Sequence, residues 1–86
     1  MKLFEHVVNH KLSTITPSEI QDYGNEYDIS LTNEQASSIC NVIHSKKWNI
    51  FDSRERTSLI KEIAKITGPN VARQANQLFL QLTKQG

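Results

Sequence analysis

Hydrophobic positions recur along this chain at helical spacing, and strand-like alternation never lasts long enough to build a sheet. Leu3, Phe4, Val7 and Val8 predict a first helix over about Lys2–Lys11. Ile20, Tyr23 and Tyr27 share one face of a second, from Pro17 to about Tyr27, and Gly24 lies on that face too. Ala36, Ile39, Cys40 and Ile43 form an i, i+3, i+4, i+7 stripe on a third that ends near Lys46. Leu59, Ile60, Ile63 and Ile66 turn inward on a fourth over about Ser53–Thr67. Val71, Ala75, Leu78, Phe79 and Leu82 do so on a fifth, from Pro69 or Asn70 to Thr83.

The polar residues between these stripes are start signals. Thr16-Pro17-Ser18-Glu19 and Thr32-Asn33-Glu34-Gln35 read as capping boxes, and Asp52-Ser53-Arg54-Glu55 as a looser one. Gly68-Pro69 breaks the chain between the last two helices. Asp28 to Leu31 is an extended connector with Ile29 and Leu31 turned inward, and Trp48, Ile50 and Phe51 make a second, apolar connector. The expected fold is all-α, a compact bundle of about five short helices forming one domain over residues 1–86. Its expected core includes Ile20, Tyr23, Ile39, Ile43, Leu59, Ile63, Leu78 and Phe79.

Length sharpens this picture. A chain of 86 residues buries roughly 60–65% of the surface its unfolded form exposes, so each core residue counts. Cys40 is the single cysteine, which excludes an internal disulfide and a cysteine-based zinc site and fits a reducing compartment. The N-terminus turns polar too early for a signal peptide, and no apolar run nears the ~20 residues of a membrane span. A cytoplasmic protein is expected.

Net charge is +1, but its distribution is uneven. Residues 1–34 hold six acids against two bases, a balance of −4, and residues 35–86 hold eight bases against three acids, a balance of +5. Chance together with attraction between the halves is the plain reading of this, and a basic C-terminal surface is the sharper one.

Five segments resemble a known family: Ile15-Thr16-Pro17, Ile29-Ser30-Leu31-Thr32, Asn49-Ile50-Phe51, Ile63-Ala64-Lys65-Ile66-Thr67 and Asn76-Gln77-Leu78-Phe79. Through them the chain is similar to domain-of-unknown-function family 2624 of Gram-positive spore-forming bacteria. The resemblance covers nearly the whole chain and rests on caps and core. It implies a shared fold and an uncharacterised bacterial protein, and it carries over no catalytic residue.

Candidate chemistry is sparse. His6 and His10 stand four apart, with His44 a conceivable third metal ligand, but no carboxylate completes a metal motif. No metal site and no cofactor is expected. Asp28, Ser30, Thr32 and Glu34 alternate as calcium ligands do, but the required Gly and Glu are replaced by Asn33 and Ile39. Cys40 with His44 at i+4 has the spacing of a nucleophile and base, yet Cys40 lies in an apolar stripe and reads as core. With no phosphate loop and no catalytic triad, the chain reads as a non-enzyme.

Two surfaces remain. Leu80 lies about 180° from the apolar side of the fifth helix, among Arg73, Gln77 and Lys84, and marks a surface for a protein partner or a second copy. Val42 is likewise off the stripe of the third helix. Arg54, Lys61 and Lys65 fall within about 40° of one another on the fourth helix. With Gly68 of the Gly68-Pro69 turn they form the alternative, a nucleic-acid interface, against which a merely solvated face must be weighed. That turn is reminiscent of the helix-hairpin-helix motif, but Asn70 replaces its second glycine and Pro69 removes an N–H donor. The expected function is a protein-binding or self-associating module, with nucleic-acid binding as the alternative.

Overall fold

The computed structural model describes residues 2–83, with side chains over 5–83. Leu3 and Phe4 of the first stripe, and Lys84, therefore lie outside the described side chains. Five helices follow in order: α1 (Lys2–Thr14), α2 (Pro17–Glu26), α3 (Asn33–His44), α4 (Ser53–Thr67) and α5 (Pro69–Thr83). No strand occurs among the described residues. The fold is all-α, as the periodicity predicts.

The caps explain the boundaries. Thr16 and Thr32 each accept the backbone N–H three residues on, at 3.2 and 3.0 Å. Glu19 and Gln35 return the bond by accepting the cap's own N–H. Asp52 accepts from Arg54 and Glu55. α1 runs three residues past the expected end at Lys11, which carries Leu12 into the core, and the hydroxyls of Ser13 and Thr14 donate to the His10 carbonyl in its last turn. α3 stops two residues early. In a longer helix the Val42 carbonyl would accept from Lys46. Here it takes the Ser45 N–H, the Ser45 hydroxyl and the Trp48 indole N–H instead.

α2 ends in a Schellman arrangement. The Ile29 N–H donates to the Gly24 carbonyl at 2.7 Å and the Asp28 N–H to that of Asn25. Asp28 takes the left-handed position, with φ 59. This turn brings the Ile29 carbonyl so near α2 that a Cβ at Gly24 would lie 2.7 Å from its oxygen. Gly24 is thus a close-approach glycine.

α3 is the central element. α1, α2 and α4 all pack on it, while α5 packs along α4. Leu12, Ile15, Ile20, Ala36, Ile39, Cys40, Ile43, Ile50, Leu59, Ile63, Ala72 and Phe79 make one buried cluster. Ile50, on the α3–α4 connector, is fully buried. A polar clamp satisfies the backbone around it. Asn9 bonds Asn49 at 3.0 Å and accepts the Ile50 N–H, Glu55 accepts the Asn49 N–H, and Arg56 donates to the Ile50 carbonyl.

Two expected inward residues are not covered. Tyr23 is 40% exposed and Leu82 37%, although both stand on the apolar faces of their helices. Leu78 is half-buried. The reason is that, among the described residues, nothing packs against these faces.

α1 and α2 are also joined on the surface. The Lys11 ammonium hydrogen-bonds the Glu19 carboxylate. That bond, then the Thr16 N–H, holds the Glu19 carboxyl below its ordinary value, and the same bond raises Lys11.

Two predictions follow from this geometry. Gly24→Ala should destabilise the fold by about 1–3 kcal/mol in denaturant titrations, because its Cβ meets backbone that cannot give way; an unchanged midpoint would show that the α2 turn is loose. Glu19→Gln keeps a capping box of the Thr32–Gln35 kind but cannot ionise. The wild type's advantage over it should be full above the ordinary carboxyl value of ~4.3 and vanish as pH falls through the lowered folded-state value. Parallel stability–pH curves for the two proteins would contradict the pairing.

Candidate functional site

The uncovered faces belong to one feature. Between the α1–α2 pair and α5 runs an open apolar groove of about 350 Å³. Its floor is the core itself: Leu12, Ile15, Ile20, Ile39, Ile43 and Ile63. One wall carries Val7, Val8, Tyr23 and Tyr27, and the other Val71, Ala75, Leu78 and Leu82. Val7 (59% exposed), Tyr23, Tyr27 and Leu82 stand at its edges.

Local sequence sets each wall. On α2, at 100° per residue, Tyr23, Tyr27, Ile20 and Gly24 occupy about one-third of the circumference. Glu19 and Glu26 flank that face, and Glu26 itself lines the groove, while Asp22 stands further round the helix and is exposed. On α5, Val71, Ala75, Leu78 and Leu82 recur at helical spacing, bordered by Gln74 and Gln81. From Val71 to Leu82 the wall spans about 16 Å, three helical turns, at 1.5 Å per residue. Among the described residues Lys11 is the cation in the lining, and it is already bonded to Glu19. The groove offers apolar contact with little polar chemistry inside it, within the ~300–1,000 Å³ range of ligand pockets.

The residues singled out from the sequence lie elsewhere. Leu80 is 45% exposed, and Arg73 and Gln77 share its solvent face of α5; none lines the groove. Lys84 falls outside the described residues. Arg54, Lys61 and Lys65 are all exposed on α4, and Lys65 pairs with Glu62 at 3.0 Å. Gly68 has φ 96, donates its N–H to the Ala64 carbonyl at 2.8 Å and accepts from Ala72. Its N–H is therefore spent inside the turn, and Pro69 has none to offer.

Cys40 is buried, and its thiol donates to the Ile15 carbonyl at 3.4 Å. His44 approaches the sulfur at 3.7 Å. Burial pushes the Cys40 thiol up, which favours the neutral form over a nucleophilic thiolate. His6 and His10 line a shallow depression with Lys46, Lys47 and Trp48, apart from His44. The Lys46 ammonium sits 4.3 Å over the Trp48 ring. No group of three or more metal-ligating side chains occurs among the described residues. No helix there is long and apolar enough to cross a membrane.

Comparison with known proteins gives a family and no activity. No solved structure matches the chain. The uncharacterized protein YqfT of Bacillus subtilis (strain 168) is 36% identical over 83 residues, which cover 96% of this chain and 99% of that protein. A family described as "Protein of unknown function (DUF2624)" matches residues 1–83. The caps and core that suggested that family from the sequence are those that build the helices and floor the groove, and the chain belongs to the DUF2624 family.

Proposed function

We propose that this chain is a non-enzymatic interaction module that docks the apolar face of another protein's helix in the groove between α1–α2 and α5. One observation carries the reading: a chain of 86 residues leaves four large apolar side chains, Val7, Tyr23, Tyr27 and Leu82, open along a groove whose floor is its core. A fold with so small a core gains by burying such surface. Contiguous exposed apolar surface marks interaction sites, whereas a single exposed leucine does not. The groove's three-turn length suits a helix anchored by side chains at i, i+3 or i+4, and i+7. Leu80, beside Arg73 and Gln77, offers one apolar side chain and no concavity.

Affinity capture from cells with four forms of the protein tests this. The double variant Val7→Gln, Leu82→Gln should lose partners that the wild type retains, at least ten-fold in recovered amount. It should keep its fold, since both sites are exposed. Leu80→Lys should retain them, and so should the variant with Arg54, Lys61 and Lys65 changed to Gln, with or without nuclease. Loss on Leu80→Lys alone would move the surface to the outer face of α5. Loss on nuclease treatment and in the basic variant would replace protein binding by nucleic-acid binding.

A further inference from the structure

We propose that the depression on the other side of α1 from the groove is an anion site that holds a phosphate group, free or at the end of a small organic molecule. It shares only Leu12 and Ile43 with the groove, so it stands whether or not the groove docks a helix. At 100° per residue His6, His10 and Ser13 lie within about 60° of one another on α1, turned away from the groove. Lys46 and Lys47, from the segment after α3, line the same depression, whose volume is about 250 Å³. No acidic side chain lines it among the described residues, and Glu5 of the same helix lies outside the lining. Neither lysine forms an ion pair among the described residues.

The groups that the lining leaves free are donors. Asn9 is bonded to Asn49 and accepts the Ile50 N–H, and the Ser13 hydroxyl donates to the His10 carbonyl. Two ammonium groups and two imidazoles remain, and an imidazole offers an N–H in either charge state. Lys46 is positioned without being neutralised. The Trp48 indole N–H donates to the Val42 carbonyl at 3.0 Å, which fixes the ring, and the Lys46 ammonium lies 4.3 Å over that ring with its charge intact. The end of α3 explains a nearby lysine, since a helix C-terminus attracts cations, but not two histidines of α1 on the same depression. The i, i+4 pair His6 and His10 alone would suit a metal ion, but two ammonium groups and no carboxylate share their site. A phosphate oxyanion matches this set, because it accepts from every donor and its charge is shared among cations. The Trp48 ring and the Leu12–Ile43 floor offer apolar surface to the body of a small ester.

Trp48 is the chain's one tryptophan, so intrinsic fluorescence reports on this site. The signal should change saturably with inorganic phosphate and with adenosine monophosphate, and adenosine should bind about ten-fold more weakly than its phosphate ester. Equilibrium dialysis with the labelled nucleotide measures the same affinity without relying on the indole. There the double variant Lys46→Gln, Lys47→Gln should weaken binding about ten-fold, and His6→Gln with His10→Gln about three-fold. All four residues are exposed, so both variants should keep the fold. The groove variant Val7→Gln, Leu82→Gln should bind the nucleotide as the wild type does. A nucleotide bound more tightly than inorganic phosphate would place the group on an ester lying against Trp48. Equal affinity would make the free anion the ligand, and either result upholds the site. No saturable binding of either probe, or nucleotide binding that survives the lysine substitutions, would overturn it. Zinc binding lost in the histidine variant, without phosphate binding, would put a metal there instead. A short labelled oligodeoxythymidylate bound through the same lysines, while both small probes fail, would make nucleic acid the ligand and refute the proposal.

Discussion

A single residue, Gly68, joins α4 to α5, and the rest of the surface follows from that constraint. α5 has no slack with which to cross the bundle, so it lies along the helix that precedes it. Gly68 can make the link because its φ of 96 is a conformation that L side chains rarely adopt. Once placed there, α5 buries Ala72 and Phe79 but presents Val71, Ala75, Leu78 and Leu82 to open space. On the far side α1 and α2 each pack on α3 through the core, and the Lys11–Glu19 pair joins them to each other. The packing runs from α5 through α4 and α3 to α1 and α2, and the groove is the gap that this order leaves. The radius of gyration is 12.0 Å, equal to the ~12 Å expected of a chain this long, so the groove belongs to an ordinarily compact fold.

The connectors contribute as much rigidity as the helices. The α3–α4 segment buries Ile50 completely, which leaves backbone groups that would be costly if unsatisfied. Asn9, Asn49, Glu55 and Arg56 satisfy them from three elements, tying α1 to the start of α4. The α2–α3 segment works through a glycine. Gly24 lets the Ile29 carbonyl approach α2, and Ile29 then enters the core. The groove is consequently floored by a well-fixed core with an uncovered side, which suits a preformed docking surface.

Most of this fold was legible in the sequence because helix starts are local chemistry. Thr16, Thr32 and Asp52 announce α2, α3 and α4, and all three cap as their spacing predicts. The end of α3 was less legible, since it depends on Trp48 reaching back to the Val42 carbonyl. In the sequence Gly24 is only a member of the apolar face of α2, since its close approach to the Ile29 carbonyl depends on the path of the α2–α3 turn. The groove was not legible at all. Periodicity identifies Tyr23 and Leu82 as belonging to apolar faces, and an apolar face reads as core until its neighbours are known. Leu80 drew notice for the opposite reason, as a misfit in pattern. The docking surface proposed here is made of residues that fit the pattern and lack a partner. The acidic balance of residues 1–34 was visible, and the structure places one of those acids, Glu26, in the groove's lining.

Solvent paramagnetic relaxation of methyl groups tests most directly whether the groove is open in the free protein. With a neutral soluble spin probe, Val7 and Leu82 should relax as strongly as the outward-facing Leu80, and Val71 and Leu78 to an intermediate degree, while Ile50 and Leu59 stay shielded. Val7, Val71, Leu78 and Leu82 as well shielded as Ile50 would mean that α5 closes onto α1 and α2, and would contradict a standing docking groove.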